Sequence, residues 1–175
     1  MITMPELLLN EDQRDCLQEI TNVAMGRAGD RLARLLDCFV VLSIPHVTIL
    51  NPTDIAMTLQ SLNREGREIV HGVCQGFIGG GIAGEAMLIF NGTDFNDLAA
   101  LLKYDGIADE QAQYELLMDT ANVLNGACLK GLAEQLDTNF SFGPPMLLGQ
   151  HCNITELLKS NNMSWKQALV VEINY

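Results

Sequence analysis

The sequence predicts an α/β (α+β) fold with pseudo-twofold symmetry: two long helices packed side by side over an antiparallel or mixed β-sheet. Three observations lead there. The segments from Asn10 to about Leu36 and from Asp109 to about Leu136 each set apolar residues at helical spacing against a polar stripe. The runs around them are rich in Val, Ile, Leu and Phe, have strand length and are bounded by turn residues. The polar stripe of the first helix returns about a hundred residues later, each time followed by a proline at the same distance.

Asn10 is a helix N-cap, with Gln13 at the position that completes a capping box. Within this helix Asp15, Glu19 and Asn22 fall at i, i+4 and i+7 and share one stripe, which continues through Gly26, Gly29 and Ala33. Leu17, Ile20, Ala24, Ala28, Leu32 and Leu35 form the opposite, buried side. The small residues of the polar stripe leave room for another backbone to come close.

Phe39 to Leu50 reads as a strand, with Pro45 marking an edge or a bulge. Asn51-Pro-Thr-Asp54 opens a short helix to about Leu59. Asn63 to Gly66 is a turn, and Glu68–Phe77 and Ile82–Phe90 form a hairpin. Thr93 or Asp94 caps a helix that runs to about Lys103 and stops near Gly106. Asp109 caps the second long helix, whose apolar side is Leu117, Ala121, Leu124, Cys128 and Leu132. Phe140 to Leu148 then repeats the strand with the proline, Asn153-Ile-Thr-Glu156 repeats the cap at Asn51, and Ala168 to Tyr175 is a strand.

The chain thus reads as one domain, residues 1–175, with an internal duplication of about 10–104 and 109–175. The second half is shorter by one hairpin strand, either lost from it or lying beyond the sequence. Glu115, Asp119 and Asn122 repeat the stripe of Asp15, Glu19 and Asn22, and Gly126 and Ala133 follow as Gly26 and Ala33 do. After Asn22, 22 residues intervene before Pro45, and 22 intervene between Asn122 and Pro145.

Composition narrows the function. At 175 residues and 48% hydrophobic, the chain can build a sizeable core. Its net charge of −12, with no Lys/Arg cluster, repels phosphate backbones and anionic lipid, which argues against nucleic acid and membrane partners. A basic protein surface would be attracted. The five cysteines are scattered and odd in number, and read as reduced thiols of a cytoplasmic protein, mostly core fillers. The three histidines are isolated, so no metal site is expected. No apolar run approaches the roughly 20 residues of a membrane span, and the start MITMPELLL lacks a basic region and is too short for a signal peptide.

The pattern acidic-or-Ser, three residues, Glu, two residues, Asn, 22 residues, Pro resembles the signature of the CheC/CheX/FliY phosphatases of bacterial chemotaxis, and it occurs here twice, as in CheC. The resemblance implies a CheC-like fold and hydrolysis of the phosphoaspartate of a CheY-type response regulator. It implies that Asn22 and Asn122 orient the attacking water. It implies too that Glu19 and Asp119 pair with the regulator's active-site lysine. The Mg²⁺ is then the regulator's, and the chain has no cofactor of its own. Asp15, Gly26, Glu115 and Gly126 would shape the rim of the partner-binding surface. The chemistry is coherent: an acyl phosphate is already reactive, so a protein need only place a water in line, and a carboxamide offers both a donor and an acceptor for that.

Asp119 shortens the second copy's carboxylate by one methylene, about 1.5 Å of reach. Misplacement near 1 Å costs on the order of 10²-fold, so the first copy is expected to be the stronger. Pro45 and Pro145 are read as structural, fixing the strand beside each helix.

A second reading makes the chain a non-catalytic binding module for a response regulator, a CheD-like deamidase or a flagellar switch component, roles the same family resemblance implies. The sequence does not choose between monomer and homodimer. A hydrolase with its own nucleophile is disfavoured, because no Ser or Cys sits in a nucleophile elbow. Gly79-Gly-Gly81-Ile-Ala-Gly84 matches GxGxxG, but a strand follows it where a dinucleotide site needs a helix, so it is a hairpin turn.

Overall fold

The first helix begins where its capping chemistry places it. In the computed structural model, which describes residues 9–51, 53, 54, 57, 58, 70–91, 95–104, 109–152, 157 and 168–172, α1 spans Glu11–Leu36. The Asn10 side chain accepts from the Gln13 amide at 2.8 Å, and the Gln13 side chain accepts from the Asn10 amide at 3.0 Å, so the capping box is complete. The strands are β1 (His46–Leu50), β2 (Val70–Gly79), β3 (Ile82–Asn91), β4 (Ser141–Phe142), β5 (Met146–Cys152) and β6 (Ala168–Glu172). Two further helices are α2 (Phe95–Leu101) and α3 (Glu110–Gln135), the latter capped by Asp109, which accepts from the Ala112 amide at 2.9 Å.

The two long helices end alike. Asp37 and Asp137 both take the left-handed conformation, at φ 54° and 48°. The next amide then bonds back into the last turn, Cys38 to the Ala33 carbonyl at 3.2 Å and Thr138 to the Ala133 carbonyl at 2.9 Å.

Among the described residues every strand pair is antiparallel, and the strands divide between two sheets. In one, β2 is central, with β3 on one side and β4 and β5 on the other. In the second, β1 pairs with β6. The hairpin between β2 and β3 turns on Gly80 and Gly81, both at positive φ, 59° and 78°, which glycine adopts without a Cβ penalty. The GxGxxG match is therefore a turn, as its context predicts.

Three expectations need correction. The strand expected over Phe39–Leu50 begins only at His46, and Phe39, Val41 and Ile44 before it are exposed. The strand expected over Phe140–Leu148 is two strands, because Gly143-Pro-Pro145 interrupts it and proline cannot donate to a ladder. Leu35 is 62% exposed rather than buried; the inner face of α1 is Thr21, Ala24, Met25, Ala28, Leu32 and Leu36. Asn51 does act as a cap, its side chain accepting from the Asp54 amide at 3.0 Å. The turn at Asn63–Gly66, the caps at Thr93/Asp94 and Asn153, and the stop near Gly106 lie outside the described residues.

The core forms where the helices meet each other and the sheet. Ala24, Met25 and Ala28 of α1 pack with Cys128 of α3. The approach is close: a Cβ on Gly131 would lie 2.5 Å from the Ala24 carbonyl oxygen. Arg31 of α1 makes a two-oxygen ion pair with Glu134 of α3 at 2.6 Å, at the edge of this contact. Leu117 and Ala121 of α3 cover Val73 of β2 and Leu88 of β3. Odd-numbered β2 residues thus face α3, while Val70 and Gly72 meet Leu157.

Candidate functional site

The helix packing decides which side chains of each stripe are free. On α1, Thr21 is buried and its hydroxyl donates to the Leu17 carbonyl at 2.6 Å, beside buried Ala24 and Met25. With that side turned inward, Asp15, Glu19, Asn22 and Gly26 point to solvent. Glu19 and Asn22 are three residues apart, so their Cβ atoms lie roughly 5–6 Å from each other on one face. Among the described residues neither has a hydrogen-bond or ion-pair partner. A Cβ on Gly26 would meet nothing within 4 Å.

Gln18, the residue before Glu19, ties this part of α1 to β1. Its Nε2 donates to the Pro45 carbonyl, and its Oε1 accepts from the Val47 amide at 3.1 Å. Pro45 is fully buried. The proline thus ends the loop next to the polar stripe, and its carbonyl is the anchor.

On α3 the same positions are exposed but engaged. Asp119 accepts a hydrogen bond from the Tyr104 hydroxyl, beyond the end of α2. That bond, then burial and the charges of Asp119 and Glu115, push the Tyr104 phenol above its usual range. Asn122 accepts at Oδ1 from Gln75 Nε2 of β2 at 3.3 Å. Glu115 accepts from Gln111 at 3.0 Å. Gly126, like Gly26, has open space where its Cβ would stand. The two sets of residues therefore occupy matching helix positions, one unengaged and one held by neighbours.

Gln18, Gln75 and Tyr104 had not been singled out from the sequence. Gln75 carried a signal, a carboxamide at the end of the buried run Val70–Gln75 of its strand. Gln18 lay between marked residues with nothing to distinguish it, and Tyr104 comes to Asp119 only through the chain path after α2.

Other reactive groups lie elsewhere. The Cys74 thiol is pushed up to about 11 by burial and then by the charge and hydrogen bond of Glu85, which keeps it protonated at neutral pH. Cys16 and Cys38 are exposed, so the cysteines are less uniformly core residues than expected. Among the described residues no three His, Cys, Asp or Glu side chains come together as a metal site, and no helix is long and apolar enough to cross a membrane.

The fold is α+β, with helices layered on antiparallel sheets, and the polar stripes of α1 and α3 lie exposed on it. No family model matches the chain. The structure is similar to the X-ray crystal structure of Thermotoga maritima FliY, with a TM-score of 0.62 and 18% sequence identity, covering 95% of this chain and 84% of that one. At that identity the likeness is one of fold.

Proposed function

We propose that the chain is a CheC-like phosphatase that hydrolyses the phosphoaspartate of a CheY-type response regulator, with Glu19 and Asn22 as its working pair. The observation that carries this reading is the pair itself: a carboxylate and a carboxamide on one exposed helix face, unengaged within the chain and one turn from an open glycine. Glu19 docks on the regulator's lysine, and the Asn22 amide holds a water in line with the scissile P–O bond. The regulator supplies Mg²⁺. The net charge of −12 favours a partner surface that is basic around its site.

The state of Asp119 and Asn122 favours a subordinate role for the second copy. Both are engaged within the chain, so a partner has to displace or share those contacts. The alternative reading, a non-catalytic module that binds a regulator, a CheD-like deamidase or a flagellar switch component, would use the same faces without turnover.

The test is the decay of an acetyl-phosphate-charged CheY-type regulator, with Mg²⁺ present, under wild type, Asn22→Ala, Asn122→Ala and the double variant. The expected result is acceleration by wild type and a loss on the order of 10²-fold in Asn22→Ala, with a smaller loss in Asn122→Ala. No acceleration of any regulator, with regulator binding retained, would establish the binding module instead.

A further inference from the structure

Gln75 is a polar residue where packing alone asks for an apolar one. Its strand neighbours on the same face, His71 and Val73, contact Phe95 of α2 and the apolar side of α3. Gln75 is 2% exposed. Its Nε2 donates to the Gly143 carbonyl at 3.0 Å and to Asn122 Oδ1 at 3.3 Å. Its Oε1 is buried without a partner among the described residues.

These contacts order the two amides in sequence. A backbone carbonyl can only accept, so Gly143 fixes the Gln75 carboxamide with its NH₂ on that side. The second N–H of the same nitrogen then meets the Asn122 amide and needs an acceptor there. The Asn122 amide satisfies it only with Oδ1 turned inward and Nδ2 outward. We infer that Gln75 is a positioning residue that sets which end of the Asn122 carboxamide faces outward, making the second copy a hydrogen-bond donor toward whatever docks on α3.

Among the described residues no side chain holds the Asn22 carboxamide in this way. Asn22 is therefore free to offer either end. Orienting a water for in-line attack calls for an acceptor for one water proton. An outward NH₂ suits phosphoryl or carbonyl oxygens instead. This last consequence rests on the phosphatase reading; the orientation of Asn122 does not.

The test is NMR of the ¹⁵N-labelled full chain, with the side-chain amide pairs of Asn22 and Asn122 assigned by their loss in the two alanine variants. The expected result in wild type is an Asn122 pair as rigid as the α3 backbone and an Asn22 pair that is mobile. An Asn122 pair as mobile as that of Asn22 overturns the inference, and that comparison requires no variant at Gln75 to fold. In Gln75→Met the Asn122 pair is expected to become mobile and to shift toward the Asn22 pair; a folded variant with an unchanged pair also overturns it. The second readout is turnover of the charged regulator in an Asn22→Ala background. Gln75→Met is expected to raise kcat with KM unchanged, and an unchanged or lower kcat overturns the donor assignment. If wild type accelerates no regulator, the phosphatase reading fails, and the amide measurements alone decide the role of Gln75.

Discussion

The Tyr104 hydroxyl donates a hydrogen bond to the Asp119 carboxylate, so the acid of the second helix is held from within the chain while its counterpart Glu19 is not. The bond favours the neutral phenol in the folded state. The folded pKa is raised above the unfolded one, so its contribution to stability is complete below the ordinary tyrosine range and is lost as pH rises through the folded value. The tyrosinate absorbance that disappears in Tyr104→Phe is expected to develop at a pH above the ordinary tyrosine value of about 10. Titration at or below that value would show the bond to be absent in solution. Tyr104→Phe is also expected to tighten any contact a partner lysine makes to Asp119, measured as binding of the regulator in an Asn22→Ala background.

Asn22→Ala and Asn122→Ala are expected to differ in stability as well as in activity. Asn22 is exposed and unengaged, so its removal changes the unfolding free energy by no more than about 0.5 kcal/mol. Asn122→Ala takes an acceptor from buried Gln75 and is expected to cost about 1 kcal/mol. Urea unfolding of both variants checks this, and equal costs would contradict the engaged geometry of the second copy.

The glycines of the two helices make opposite predictions. Gly131→Ala drives a Cβ to 2.5 Å from the Ala24 carbonyl, a backbone atom that cannot swing aside. The helix-propensity gain of about 1 kcal/mol is then outweighed by overpacking of roughly 1–3 kcal/mol. Gly26→Ala and Gly126→Ala meet open space, so each is expected to stabilise the free protein by roughly 0.5–1 kcal/mol. If the stripes are docking surfaces, the same two variants weaken regulator binding. Higher stability with undiminished binding would remove those glycines from the interface.

His71 makes the fold sensitive to acid. It is buried against the edge of Phe95, its ring centroid 4.6 Å from that of His151, and its Nδ1 accepts from the His151 amide at 3.4 Å. Burial, and then the charge of His151, hold its pKa below the ordinary histidine value. A lowered folded pKa contributes stability that is complete above the unfolded value of about 6.5 and is lost as pH falls through the folded one. The urea midpoint is therefore expected to fall between pH 7.5 and 5, and to fall less in His71→Phe. An equal fall in both would place the acid sensitivity elsewhere.

Read alone, the sequence specified the helices closely, because their signals are local. The cap at Asn10 with Gln13, the cap at Asp109 and the 3.6-residue periodicity are all interactions within a turn or two of chain. The hairpin at Gly80-Gly81 was legible for the same reason. So were the exposed positions of Glu19, Asn22, Asp119 and Asn122, which follow from helix phase. Strand limits were less so: Phe39, Val41 and Ile44 have strand-forming side chains, yet among the described residues they lie outside any ladder, and a strand exists only where a neighbour pairs with it.

Only the tertiary structure distinguished the two polar stripes, since their difference lies in contacts across long chain separations. Gln75 reaches Asn122 from 47 residues away, and Gln18 reaches the Pro45 carbonyl from 27. Tyr104 meets Asp119 because α2 delivers it there, which no periodicity encodes. Sequence pattern set what each helix presents to solvent; the packing of strands and connections around the helices determined whether those groups are free or already engaged.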